Sequence, residues 1–149
     1  MPGYLLDTNV ISMLAPKSSE ARPGAPRMAE FRAWVREHDE RLFLSTVTLA
    51  EIQAGISRLE RKGASRRAAD LAHWLDAILE LYDSRTLALT SEVAIEAGRL
   101  LDHAIGVGAD PGFEDAAIAA TGVVHGLMIV TANTRHFDTF GVTSIPPPS

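Results

Sequence analysis

No cysteine occurs anywhere in the 149-residue chain, which removes disulfide frameworks, zinc–thiolate sites and cysteine nucleophiles together. Any metal must then be held by oxygen or imidazole. No apolar run approaches the roughly 18 residues that a membrane span requires. No basic n-region or small-residue cleavage site precedes the first apolar segment, so no signal peptide is read and a cytoplasmic protein is expected. The glycine-rich run ending in Gly-Lys-Ser or Gly-Lys-Thr is absent as well, which excludes a P-loop enzyme. Positive charge is in short supply: 14 Lys and Arg against 19 Asp and Glu leave a net charge of −5. That balance argues against a sequence-independent polyanion binder. It does not exclude a local basic stripe, because Arg58, Arg61, Lys62, Arg66 and Arg67 fall close together; the plainer reading of that cluster is a solvated helix face.

What is present fits one globular domain over residues 1–149, long enough to bury roughly two-thirds of its unfolded surface. Tyr4 to Leu6 reads as a strand, turned by Asp7-Thr8-Asn9 into a short helix with Val10, Ile11, Met13 and Leu14. The Pro-, Ser- and Gly-rich stretch 16–26 is expected to be a loop inserted in the domain. Met28 to His38 has helical spacing and Leu42 to Leu44 reads as a second strand. Thr48-Leu49-Ala50-Glu51 fits a capping box, predicting a helix from Thr48 to about Lys62. A second helix after Gly63 and Ser65, reaching Leu81, completes a helical hairpin. Leu87 to Leu89 is a candidate third strand and Thr90 caps a helix whose apolar face carries Val93, Ala97, Leu100, Leu101 and Ala104. Asp110-Pro111 suits the opening of a helix running from about Phe113 to His125, with Gly126 as its stop. Leu127 to Val130 reads as a buried strand, Val142 to Ile145 as a weak last one, and residues 146–149 as a tail. Strands alternating with helices predict an α/β domain with a mostly parallel sheet, whose ligands bind beyond the carboxyl ends of the strands.

Three acids stand where hydrophobic patterning alone does not put them: Asp7 after the first strand, Glu51 and Asp115 near the starts of two helices. Gathered in one crevice, like charges repel, raising their pKa values or demanding a cation. Hard oxygen donors suit Mg²⁺ or Mn²⁺, and such an ion favours phosphodiester cleavage by an activated water. Each acid also has an ordinary structural job open to it: an Asx turn for Asp7, the capping box for Glu51, a favourable helix-dipole contact for Asp115. Glu114, 100° around the helix from Asp115, is expected at the surface. His103 and His125 are expected as solvated helix-end residues, and Trp34 and Trp74 as core.

The segments Leu5-Leu6-Asp7-Thr8-Asn9-Val10-Ile11, Ser45-Thr46-Val47-Thr48-Leu49-Ala50-Glu51-Ile52, Glu114-Asp115-Ala116-Ala117-Ile118-Ala119-Ala120-Thr121 and Val130-Thr131-Ala132-Asn133-Thr134-Arg135-His136-Phe137 resemble the four motif regions of PIN domains, in order, and the VapC and FitB toxin branch in particular. The resemblance implies a three-layer α/β/α domain with a five-stranded parallel sheet, a Mg²⁺ or Mn²⁺ site and RNA cleavage by metal-activated water. It matches Asp7, Glu51 and Asp115 to the metal-binding acids and Asn133 to a position held by Asp or Asn. Thr131 and Thr8 match hydroxyl positions that orient ligands or water, while Arg135 and His136 are candidate phosphate contacts. The neutral Asn133 departs from a four-acid pattern and leaves one or two metals open. Asp7 and Asp115 are expected to hold the principal ion, with Glu51 acting through water. A small antitoxin protein and a homodimer are the partners implied.

Two other functions compete. One is a PIN-like fold kept for binding RNA or protein without turnover, against which the intact trio of acids speaks. The other is an aspartyl-phosphate phosphatase with Asp7 as nucleophile, but that chemistry usually needs a second Asp two residues on, where this chain has Asn9.

Overall fold

In the computed structural model, which describes residues 2–17 and 26–148, the chain forms a five-stranded sheet between two layers of helices. The expected loop at 16–26 falls, apart from its ends, outside the described residues. Strands β1 (Tyr4–Leu6), β2 (Leu42–Ser45), β3 (Thr86–Leu87), β4 (Met128–Val130) and β5 (Ser144–Ile145) lie in the order β3-β2-β1-β4-β5. Every pairing is parallel. The strand order departs in both directions from β1, with Tyr4 opposite Leu42 on one side and Met128 on the other. The chain therefore reverses its winding beside β1, which is where an open parallel sheet leaves its ligand crevice.

Strand residues alternate between two cores, as a pleated backbone requires. Leu5 and Ile129 join α5 (Ser91–Gly106), α6 (Phe113–His125) and Phe137 of α7 (Thr134–Asp138) on one face. Leu6, Leu42, Leu44 and Val130 join α1 (Thr8–Ile11), α2 (Pro26–His38), α3 (Thr46–Arg61) and α4 (Ser65–Leu81) on the other. α6 packs closely through four alanines around one larger side chain: Ala116, Ala117, Ile118, Ala119 and Ala120 are all fully buried. A Cβ at Gly122 would come within 2.9 Å of Ile129, so only glycine lets α6 lie this close to β4. Gly126 ends α6 in the left-handed region at φ 66°, the conformation for which glycine carries no steric penalty.

One helix start is displaced and, at another, the expected cap is not used. α3 begins at Thr46, because Ser45 is the N-cap and its Oγ accepts from Val47 N at 3.0 Å. Thr48 lies inside the first turn, fully buried, so the capping box at Thr48-Glu51 does not form. α6 is preceded by Gly112, with no side-chain cap, so Asp110-Pro111 lies short of the helix it was expected to open. The third and fifth strands are shorter than their apolar runs, and α7 occupies a stretch in which no helix was expected. Thr90 caps α5 as expected, accepting from Val93 N at 3.2 Å. Among the described residues no helix is long and apolar enough to cross a membrane.

Candidate active site

At the carboxyl end of the central strand, Asp7 is only 4% exposed. A lone charge there would be costly, and the surrounding groups show how the cost is met. Asp7 caps α1, its Oδ1 accepting from Thr8 N at 2.8 Å. Its Oδ2 accepts from Thr131 Oγ1 at 2.8 Å. Thr131 follows β4, so the clamp reaches across the point where the winding reverses, and Asp7 N in turn donates to Val130 O at 2.9 Å. Asn133 N donates to Thr131 Oγ1 at 3.0 Å. With that acceptance, the Thr131 hydroxyl proton is directed at Asp7.

Glu51, in the second turn of α3, is drawn to the same crevice by Thr8, whose hydroxyl donates to Oε1 at 2.7 Å. Thr48 Oγ1 lies 3.0 Å from that hydroxyl. A hydroxyl has one proton to give, so Thr8 donates to Glu51 and accepts from Thr48. The displaced cap explains this arrangement. With Ser45 satisfying the helix end, Thr48 turns inward as a buried support and Glu51 is released from capping.

Asp115, in the first turn of α6, stands opposite His136 of α7, with Nε2 2.8 Å from Oδ2. The ring nitrogen is buried and makes no directed hydrogen bond there. The imidazole is held edge-on by Phe137 and Phe140, with centroid separations of 6.4 and 5.8 Å.

The three carboxyls feel one another. Burial pushes Asp7 upward from the ordinary carboxylate range; the Thr131 and Thr8 bonds pull it back, Asp115 pushes it further and His136 opposes. Burial also raises Glu51, the Thr8 bond lowers it, and Asp7, Asp115 and Glu114 raise it. Asp115 is raised by burial, lowered by His136 and raised by Glu114. Asp7, Glu51 and Asp115 are thus brought to one edge of the sheet. Among the described residues, no three His, Asp or Glu side chains form a ready-made metal cage. The donor set remains carboxylate oxygen, the chemistry that suits a hard divalent ion. Mg²⁺ commonly takes one or two protein carboxylates and keeps several waters, and a pair such as Asp7 and Asp115 fits that mode.

The other expected residues divide. Thr8 and Thr131 are part of the hydrogen-bonded framework. Asn133 is the exposed N-cap of α7, without a side-chain cap bond. Arg135 is exposed on α7, and His136 faces Asp115 instead of solvent. Glu114 is exposed as expected, yet its charge reaches Glu51 and Asp115. Sequence reasoning missed two participants. Asn9 Oδ1 accepts from Ala132 N at 3.1 Å and its Nδ2 lies 3.5 Å from Thr131 Oγ1, tying the β1 turn to the β4 turn. Thr48 is the other. Asn9 carried a signal in its place two residues after Asp7; Thr48 was legible only as a cap.

Comparison with known proteins accords with this geometry. The PIN-domain family profile matches residues 4–141. The chain is similar to VapC ribonuclease Y4jK of Sinorhizobium fredii, 31% identical over 145 residues and covering 96% of each chain. It is also similar to plasmid stability protein StbB of Pseudomonas syringae pv. tomato, 30% identical with 96% of each covered. The crystal structure of FitAcB from Neisseria gonorrhoeae superposes with a TM-score of 0.78 at 30% identity, covering 97% of each chain.

Proposed function

The chain belongs to the PIN-domain family, and from that premise we propose that it is a divalent-metal-dependent endoribonuclease, the toxin member of a toxin–antitoxin pair. The observation that carries the reading is the buried Asp7 at the winding reversal, clamped by Thr8 and Thr131 and pushed toward protonation chiefly by its burial, with Asp115 adding to the push. An acid cluster that strains to stay ionised is suited to a cation that relieves it.

In this reading Asp7 and Asp115 hold a Mg²⁺ or Mn²⁺ ion, which when bound polarises a phosphoryl oxygen of RNA and lowers the pKa of a water. Glu51, steadied by Thr8, accepts the proton of the attacking water or binds the ion through water. Thr131 keeps the Asp7 carboxylate in one rotamer. Asn133, exposed beside Thr131, orients water at the crevice mouth, and Arg135, exposed on α7, contacts phosphate. His136 faces Asp115 and limits the negative charge that RNA must approach. The named relative VapC ribonuclease Y4jK supports the choice of reaction. A cognate antitoxin, a homodimer, a cytoplasmic location and a single nuclease domain over residues 1–149 complete the proposal.

RNA cleavage compared in Mg²⁺, in Mn²⁺, with chelator and with Asp7→Asn tests it. Metal should be required, and Asp7→Asn should lose about 10²–10³-fold in rate, the several kcal/mol a metal site supplies. Equal rates under all four conditions would remove the nuclease and leave the non-catalytic binding module.

A further inference from the structure

Beside the acids, on the side of the α3–α4 hairpin, lies a cavity of about 260 Å³. Thr8 and Glu51 form its inner edge, and Gly55, Leu59, Leu71 and Trp74 its apolar wall, with Arg67 at the rim. It shares Thr8 and Glu51 with the crevice, so whatever fills it lies against the reacting centre.

Three observations converge on its occupant. Gly55 sits inside α3 at a negative φ, and a Cβ there would meet nothing within 4 Å. The fold therefore asks for no glycine at a position where glycine weakens a helix, and a side chain there would take up part of the open space that Gly55 lines. Trp74 packs against the α3–α4 core yet lines this space, offering an aromatic surface of the kind on which bases stack. Four of the fourteen basic residues of this acidic chain lie at the far end of the same hairpin: Arg58, Arg61, Lys62 and Arg66 are exposed there. Between Glu51 and Arg61 α3 rises about 15 Å. A single strand of RNA laid from the acids to that basic end crosses the cavity on its way. The guanidinium of Arg67 is anchored by donation from Nη1 to Pro16 O, which fixes a cation where the strand passes.

We infer that this cavity is a specificity subsite that receives one unpaired base of the RNA next to the scissile phosphate, stacked on Trp74 and flanked by Arg67. The inference rests on the nuclease reading above and names how that site selects its substrate.

The test uses wild type, Gly55→Leu, which fills the cavity, and Gly55→Ala, which adds one methyl to open space. Each is assayed on a single-stranded RNA that wild type cuts, and on copies with an abasic residue at each position flanking the cut. Gly55→Leu should lose about tenfold or more in kcat/KM on intact RNA, the scale of one stacked base. Wild type should lose a similar factor when one flanking base is missing, and Gly55→Leu should be indifferent to that loss. Equal sensitivity of the two proteins to the abasic residue overturns the subsite. Gly55→Ala, with a smaller loss of the same pattern, decides the matter if leucine prevents folding. A second readout needs no turnover. In a Trp34→Phe background, an unstructured RNA twelve-mer in chelator should quench Trp74 emission in the Gly55 protein and not in Gly55→Leu. If no RNA is cut under any condition, the nuclease reading fails, and this quenching alone decides the subsite. Absence of quenching, or quenching equal in both proteins, counts against it.

Discussion

Asp7 and Asp115 reach the same crevice by opposite means. Asp7 is almost fully buried and fastened on both oxygens, by the Thr8 backbone and the Thr131 hydroxyl. The Asp115 side chain is 34% exposed and faces the His136 imidazole. The first acid is placed by the sheet itself, through two adjacent strands whose register cannot slip without turning side chains to the other face. The second is placed by the start of a helix and a surface-facing ring, and is freer to adjust. Under the proposed function, one fixed and one adjustable carboxylate would bind an ion at a defined point and still accommodate the motion of substrate.

The asymmetry can be broken most severely at Thr131. Thr131→Val keeps the shape but removes the donor to Asp7 and the acceptor for Asn133 N; RNA cleavage should fall about 10–100-fold, as for loss of a group that orients a metal ligand. His136→Gln should cost less than about fivefold, because a partly exposed ion pair contributes only about 0–1 kcal/mol. Parallel steady-state kinetics check the pair, and equal losses would show that both acids are held alike. A third comparison sets the true cap of α3 against the expected one. Ser45→Ala should lower stability by about 1 kcal/mol in urea unfolding, whereas Glu51→Gln, which leaves the helix end untouched, should change it by less than about 0.5 kcal/mol.

The smallest effect concerns pH. Asp7 is raised in the folded protein, mainly by burial, so the metal-free folded state keeps its proton at pH values where the unfolded chain has lost it. Its contribution to stability is therefore full below the ordinary carboxylate range and declines as pH rises through the raised folded value. Relative to wild type, metal-free Asp7→Asn should become steadily more favourable between acidic and neutral pH, read as the difference in Tm across that range. A difference that does not vary with pH, or one that runs the other way, would show that Asp7 is better satisfied as an anion than its burial implies.

Local pattern made much of this molecule legible. The apolar runs of β1, β2 and β4, the break at Gly63, the Thr90 cap and the Gly126 stop are each written in a few adjacent residues, and physics acting over one turn suffices to read them. The short β3 and β5 were harder, because a two-residue strand is defined by the edge it pairs with and not by its own composition. The caps at Ser45 and Gly112 were misread for a related reason. Several residues near each helix end could cap, and burial of Thr48 against Thr8 decides which one does.

For the site, the sequence alone specified which acids to consider, since a carboxylate at the end of an apolar strand or in an early helical turn invites a functional question wherever the chain goes. Only the tertiary structure decided that they come close enough to feel one another's charge, that Thr131 and Asn9 bind the two turns together, and that His136 turns toward Asp115. The physical reason is range. Caps, stops and hydrophobic periods act through neighbours along the chain, while the mutual repulsion of three acids exists only after the sheet has brought positions 7, 51 and 115 to one edge.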